Sequence, residues 1–190
     1  MTAAVEADRS GFEGRAVFET ALGWCGLAWG ERGIVAVQLP EGDRSRTAWR
    51  LRRRRPDACD ADPPAAVAAA RDAIVALLAG ERVDLVDVVV DLGEVSPFDA
   101  DVYAVARTIP PGSTLTYGEV AARVGSADLA RAVGGAMGRN PCPIIVPCHR
   151  VLAARGALGG FSAPGGAATK RRLLTIEGAL PPAPLTLFDA

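Results

Sequence analysis

The pattern of hydrophobic and polar positions changes near the middle of the chain. In residues 1–93, two short β-prone runs at 24–29 and 34–39 flank the turn sequence GERG and predict a β-hairpin. An alanine-rich run at 64–80 begins with a proline and ends at a glycine, as a helix with a glycine C-cap does. The run VDLVDVVVDL at 83–92 predicts a further strand. We therefore expect a small α/β domain in this part.

Residues 94–180 instead show helical spacing interrupted by glycines. Ser96 and Pro97 are typical of a helix N-cap and first turn. Apolar residues recur behind them with a helical period: Phe98, Val102, Val105 and Ile109. Thr116 and Glu119 form the capping-box pattern of a second helix. The expected fold class is therefore α/β (α+β), a sheet domain followed by a mainly helical domain.

A third helix is expected directly after the second, because Gly125 breaks the second helix and Ser126 can cap the next. Two short helices joined by a tight glycine turn predict a helix-turn-helix. In the third helix Leu129, Val133 and Met137 recur at a spacing of four and predict a face that packs on the core.

The opposite face of the third helix is unusually smooth: it carries Ala127, Arg131, Gly134, Gly135 and Gly138. Each glycine in a helix interior costs about 1 kcal/mol relative to alanine, so two adjacent glycines need a reason. Close packing of a second helix explains them, and so does close approach to a ligand surface with one arginine projecting from it. The spacing does not choose between the two.

The composition is that of an ordinary globular domain, with 49% hydrophobic and 23% charged residues. No apolar run approaches the roughly 20 residues that span a bilayer, and the first residues lack the pattern of a secretory signal. The four cysteines form no CxxC pair, and there is one histidine, so neither a disulfide framework nor an ordinary zinc site is expected. We expect a cytoplasmic monomer without metal or cofactor.

Charge is distributed unevenly although the net charge is only −1. From Ser96 onward nine basic residues stand against six acidic ones, which gives +3 and leaves −4 for the rest. This excess can meet a polyanion, and it is equally compatible with a solvated basic face. The arginine run at 52–55 is expected to be an exposed segment.

Cys148 and His149 stand side by side after the apolar run PIIVP, which predicts a buried strand ending at the cysteine. Most free cysteines are small buried hydrophobes. Here the adjacent histidine and Arg150 favour the thiolate, and a glycine-rich loop, GALGGFSAPGG, follows at 156–166. These residues make Cys148 a candidate nucleophile with His149 as its base. They fit a cysteine hydrolase as well as an alkyl acceptor.

The segment NPCPIIVPCHRV resembles the active-site signature of the O6-alkylguanine-DNA alkyltransferases, also called methylated-DNA–protein-cysteine methyltransferases. The segments TYGEVA, ARAVGGAM and LLTIEG match the flanking family pattern in the right order. The resemblance covers about Ser96 to Leu180. It implies stoichiometric (suicide) transfer of an alkyl group from O6-alkylguanine in double-stranded DNA to Cys148, after the base is flipped out from the minor groove.

The resemblance also implies a role for individual residues. Cys148 would accept the alkyl group, His149 would deprotonate it through a water, Glu177 would orient His149, and Asn140 would join the two halves of the site. Arg131 would fill the gap in the duplex, on a helix face formed with Ala132, Gly134 and Gly135. The extruded base would meet Tyr117, Val151, Ser162 and Lys170.

Family members often carry glutamine, tryptophan and tyrosine where this chain has Asp99, Tyr103 and Phe161. A rival function is that of a lesion-binding protein that recruits other repair factors without transferring the alkyl group; Cys148 argues against it. The Pro-rich tail at 181–190 ends in LTLF, similar to peptides that bind bacterial sliding clamps, so Leu185, Leu187 and Phe188 can be apolar anchors. Packing of the tail on its own domain is the competing explanation.

Overall fold

The computed structural model describes residues 13–93 and 95–181. The first half forms one four-stranded sheet in the order β3-β2-β1-β4. Its strands are β1 (Gly14–Thr20), β2 (Gly23–Gly30), β3 (Gly33–Gln38) and β4 (Cys59–Asp60). The first three are antiparallel neighbours, and β4 pairs in parallel with β1. The predicted hairpin is thus confirmed as β2 and β3.

Two helices accompany this sheet: α1 (Arg44–Arg54) and α2 (Ala65–Leu78). The predicted alanine-rich helix is α2, which starts after Pro64; Gly80 follows it with φ 95°. The arginine run at 52–55 was predicted to be an exposed segment, and Arg52, Arg53 and Arg54 are exposed while Arg55 is half-buried. The run forms the end of α1, where Arg54 donates to the carbonyl oxygens of Val37 (2.9 Å) and Pro141 (3.0 Å).

The strand predicted at 83–92 is absent: this segment makes a single bridge, between Val90 and Ile34 of β3. Residues 85–88 instead form a turn, in which the Val88 N–H donates to the Leu85 carbonyl oxygen at 3.1 Å. Arg107 of α3 donates to the carbonyl oxygens of Val86 and Val88 and holds this turn in place.

The second half is mainly helical, as predicted. Its helices are α3 (Pro97–Arg107), α4 (Tyr117–Val124), α5 (Ala130–Arg139) and α6 (Gly166–Ile176). A small parallel pair joins β5 (Leu115–Thr116) to β6 (Val151–Leu152). The N-cap at Ser96 and the capping box of Thr116 and Glu119 are both present.

The predicted helix-turn-helix consists of α4 and α5, joined by Gly125 and a 3-10 turn at Ala127–Leu129. Val133 and Met137 are buried as expected, but Leu129 is 36% exposed because it belongs to the 3-10 turn and not to the regular helix. The main apolar cluster contains residues from both halves of the chain, from Phe18 to Leu173. In the described residues no helix is both long and apolar enough to cross a membrane.

Candidate active site

The turn that leads to Cys148 is held by Asn140, the residue that ends α5. Its amide nitrogen donates to the Val146 carbonyl oxygen (2.7 Å), and its amide oxygen accepts from the Cys142 backbone N–H (2.9 Å). The strand predicted for 143–147 is therefore wrong: Asn140 satisfies backbone groups that a strand partner would otherwise take. The turn also contains Ile144 at φ 78°, a left-handed conformation that costs a β-branched residue about 1–3 kcal/mol and that tends to cluster at functional sites.

Cys148 opens a short 3-10 turn, Cys148–Arg150, and only 6% of its surface is exposed. Burial raises the pKa of its thiol, against the opposing effects of a hydrogen bond from Asn140 and the positive charge of Lys170. At rest the residue is therefore a thiol that needs a base to become a nucleophile.

His149 lies at the adjacent position, and its imidazole can act as a base. Its Nε2 lies 2.9 Å from Oε1 of Glu177, and burial lowers the pKa of the imidazole, so it is neutral at pH 7. A neutral imidazole whose Nε2–H donates to the carboxylate keeps a free lone pair on Nδ1. That Nδ1 is buried and has no hydrogen-bond partner among the described residues.

Arg150 holds the carboxylate of Glu177 from the other side, with Nε 2.8 Å from Oε2 and Nη2 2.9 Å from Oε1. Burial alone would raise the pKa of Glu177, but the hydrogen bonds from His149 and Arg150 and the positive charge of Arg150 lower it to about 2. The carboxylate thus remains ionised and orients the imidazole. This contact of Arg150 was not predicted from the sequence, where the arginine was expected only to favour the thiolate.

A cleft of about 880 Å³ opens beside Cys148, between the helix-turn-helix and the glycine-rich loop. Its lining includes Tyr117, Arg131, Gly134, Met137 and Ser162. Apolar atoms dominate this wall, and burial raises the pKa of Tyr117, whose phenol therefore keeps its proton. The arrangement suits a flat, largely apolar ligand placed against a thiol.

Of the residues predicted to form the DNA-facing side of α5, Arg131 and Gly134 line this cleft, and Ala132 and Gly135 do not. Arg131, Ala132 and Gly135 are exposed, and Gly134 is half-buried. A Cβ at Gly134 would stand 4.0 Å from the Tyr117 ring, so this glycine leaves room beside the aromatic wall.

Two predicted base-pocket residues lie behind the cleft wall and not on it. Lys170 is fully buried; its Nζ donates to the Val151 carbonyl oxygen at 2.5 Å and lies 5.6 Å from the centre of the Tyr117 ring. Burial lowers the pKa of Lys170 to about 8. In this structure the lysine supports the wall and contributes positive charge near Cys148.

Comparison with known proteins shows which family the chain belongs to. A model described as 6-O-methylguanine DNA methyltransferase, DNA binding domain, matches residues 97–179. The methylated-DNA–protein-cysteine methyltransferase of Methanothermobacter thermautotrophicus is 39% identical over 153 residues, 80% of this chain and 78% of its own length. The chain belongs to the methylated-DNA–protein-cysteine methyltransferase family.

Solved structures of family members have the same fold as this chain. The Mycobacterium tuberculosis OGT protein in complex with DNA superimposes with a TM-score of 0.70 and 35% identity, over 87% of this chain and 92% of its own. The O6-methylguanine-DNA methyltransferase of Pyrococcus kodakaraensis gives a TM-score of 0.67 and 29% identity, over 86% and 99% of the two chains. As a methylated-DNA–protein-cysteine methyltransferase, the chain is a DNA-binding enzyme of DNA repair, as the sequence motifs indicated.

Proposed function

We propose that this methyltransferase removes alkyl groups from O6 of guanine in double-stranded DNA by a single, irreversible transfer to Cys148. The observation that carries the proposal is the position of Cys148, at the floor of a cleft and next to a histidine with one free, buried nitrogen. A thiol there can be deprotonated and can meet an electrophilic carbon in the same place.

The proton of Cys148 passes to Nδ1 of His149, through one bridging water. The free lone pair on Nδ1 supports this direction, because Nε2 is already occupied by Glu177. The imidazolium that forms lies against the ionised carboxylate, so charge appears only where it is stabilised. Arg150 keeps that carboxylate in place.

The guanine reaches Cys148 only if its nucleotide rotates out of the duplex, since the alkyl group of a stacked base is inaccessible to a buried thiol. Arg131 is exposed at the cleft and is long enough to occupy the vacated stack. The small residues Ala132, Gly134 and Gly135 allow α5 to enter the minor groove, which is only about 6 Å wide. Tyr117 and Ser162 then border the flipped base.

In the transfer step the thiolate sulfur forms a bond to the alkyl carbon while the bond between that carbon and guanine O6 breaks. The electron pair stays on the guanine, which takes a proton from the Tyr117 phenol. The Tyr117 phenolate regains a proton from the His149 imidazolium through solvent, so the cysteine proton ends on the base and ordinary guanine remains in the DNA. The cysteine becomes a thioether, which has no leaving path, and each protein molecule therefore acts once.

The test is intact-protein mass spectrometry after mixing the chain with a duplex that contains one O6-methylguanine. We expect a stoichiometric gain of one methylene equivalent, mapped to Cys148 and absent in Cys148→Ser, with Cys142→Ser as the matched control for a buried cysteine. Binding of the duplex without a mass gain would instead indicate a lesion-binding protein. Repeated turnover without DNA would indicate a cysteine hydrolase.

We further propose that the C-terminal LTLF sequence binds the sliding clamp. Leu185, Leu187 and Phe188 lie outside the described residues, and the proposal rests on their sequence alone. A clamp pull-down should lose the protein when residues 185–190 are deleted. Equal capture of the full and shortened chains would end the idea.

A further inference from the structure

We propose that Asp99 and Tyr103 of α3 are positioning residues, which fix the last turn of α5 and through it place Asn140 against Cys148. This inference rests on the proposed role of Cys148 as acceptor. Both residues make polar contacts to α5.

The first contact is an ion pair at the end of α5. The Asp99 carboxylate is 9% exposed and binds Arg139 in a bidentate manner, with Nη2 2.8 Å from Oδ1 and Nε 3.1 Å from Oδ2. Bidentate pairs fix orientation as well as distance. Arg139 is the residue directly before Asn140, so the pair acts one residue from the side chain that holds the acceptor turn.

The second contact satisfies a helix-end carbonyl group. The last carbonyl oxygens of a helix lack intrahelical partners, and the backbone N–H of Asn140 turns to Met137 instead of Ala136. The fully buried Tyr103 hydroxyl donates to the Ala136 oxygen at 2.9 Å. Burial, together with the charge of Asp99, raises the pKa of Tyr103 to about 12, so the phenol remains a donor.

Gly135 belongs to the same arrangement. A Cβ at this position would stand 3.3 Å from Nη1 of Arg139, which folds back along the helix toward Asp99. A Cβ at Gly138 would meet nothing within 4 Å. The second of the two adjacent glycines therefore leaves room for the guanidinium, in addition to any contact that this helix face makes with DNA.

Asp99→Asn distinguishes a positioning role from a simple electrostatic effect, because the two predict opposite changes in the rate of alkyl transfer. Removing a negative charge from this region favours the Cys148 thiolate and would speed transfer. Loss of positioning slows it, since a displacement of reacting groups by about 1 Å costs up to about 100-fold in rate. We expect the transfer rate at saturating duplex to fall about tenfold, with the Kd for the duplex within twofold of the parent value.

The control is Asp91→Asn, which breaks a bidentate pair of the same kind, with Arg32, in the N-terminal half. It should leave both the rate and the Kd unchanged. Tyr103→Phe, which removes one hydroxyl from a buried ring, should reproduce the slower transfer without the charge change and serves if Asp99→Asn folds poorly. Gly135→Ala should raise Tm less than Gly138→Ala, because only the former crowds Arg139.

An unchanged or faster transfer rate in both Asp99→Asn and Tyr103→Phe would overturn the inference, as would a weaker Kd with the rate at saturation intact. Methyl transfer by the parent protein is measured in the same series. If the parent gains no mass on Cys148, the proposed function fails; if it does and the variants match it, only the positioning role fails.

Discussion

The buried carboxylate of Glu177 offers the sharpest test of the network behind Cys148. Its side chain is 1% exposed and accepts hydrogen bonds from His149 and from two nitrogens of Arg150. Glu177→Gln keeps the shape, removes the charge and leaves one acceptor oxygen where there were two. If that oxygen serves His149, the amide N–H₂ faces the Nε–H of Arg150, and two donors meet.

The expected cost follows from the burial of Arg150, whose side chain is 3% exposed. Removing one partner of a buried ion pair costs about 3–5 kcal/mol, because the other charge stays behind. The pKa of Glu177 gives a consistent figure. A fall from 4.5 to about 2 corresponds to about 3 kcal/mol of stability at pH 7. For a chain of this size we expect Tm to fall by about 10 °C.

The contribution of Glu177 to folding stability depends on pH, and the direction of its pKa shift fixes the direction of that dependence. Because the folded-state pKa of Glu177 is depressed, its contribution is complete above about pH 5 and is lost as pH falls toward 2. Urea unfolding should therefore show the full difference between parent and Glu177→Gln at pH 7 and less than half of it near pH 3. Glu19→Gln, at an exposed position of β1, is the matched control and should unfold like the parent. A Glu177→Gln midpoint equal to that of the control at pH 7 would refute the reasoning.

Three further predictions address the cleft. Arg131→Ala should slow transfer from duplex DNA at least tenfold but leave transfer from the free alkylated base unchanged, as measured by protein mass; equal losses would contradict base flipping. The depressed pKa of Lys170 predicts that the parent gains stability relative to Lys170→Met between about pH 8 and 10.5, and parallel urea-unfolding curves would contradict this. Gly159→Ala should weaken binding of alkylated duplex several-fold, because its Cβ would stand 3.3 Å from the Tyr117 ring; Gly156→Ala, at a similar φ with nothing within 4 Å, is the control, and equal Kd values would contradict it.

Structural features that depend on residues within one helical turn of each other were predicted correctly from the sequence. Ser96 at an N-cap and the Thr116–Glu119 capping box both depend on residues three positions apart, and both are present. The glycine-framed hairpin of β2 and β3 is equally local. Such features are decided by the backbone groups that the side chain itself can reach.

The two strands that were wrongly predicted show what the local sequence does not determine. The segments at 83–92 and 143–147 both have the apolar, β-branched composition of strands. In the first, the distant Arg107 binds carbonyl oxygens. In the second, Asn140, three residues before the segment, binds Val146 and also the neighbouring Cys142. Apolar composition did not predict burial of the first segment either, since only Leu85 is buried and Val86 and Val89 are exposed. The partner of a backbone group can be a side chain far along the chain, as Arg107 is for this segment.

The partner of Arg150 was out of reach for the same reason, since Glu177 lies 27 residues away. Its position explains how a buried site can hold so many ionisable groups. Apart from Lys170, the charges beside Cys148 are those of one ion pair, Arg150 with Glu177, while burial keeps the thiol protonated, His149 neutral and Tyr117 a phenol. Separated buried charges would be costly, so in the proposed mechanism the imidazolium appears only when the proton leaves Cys148, next to a carboxylate already fixed to receive it.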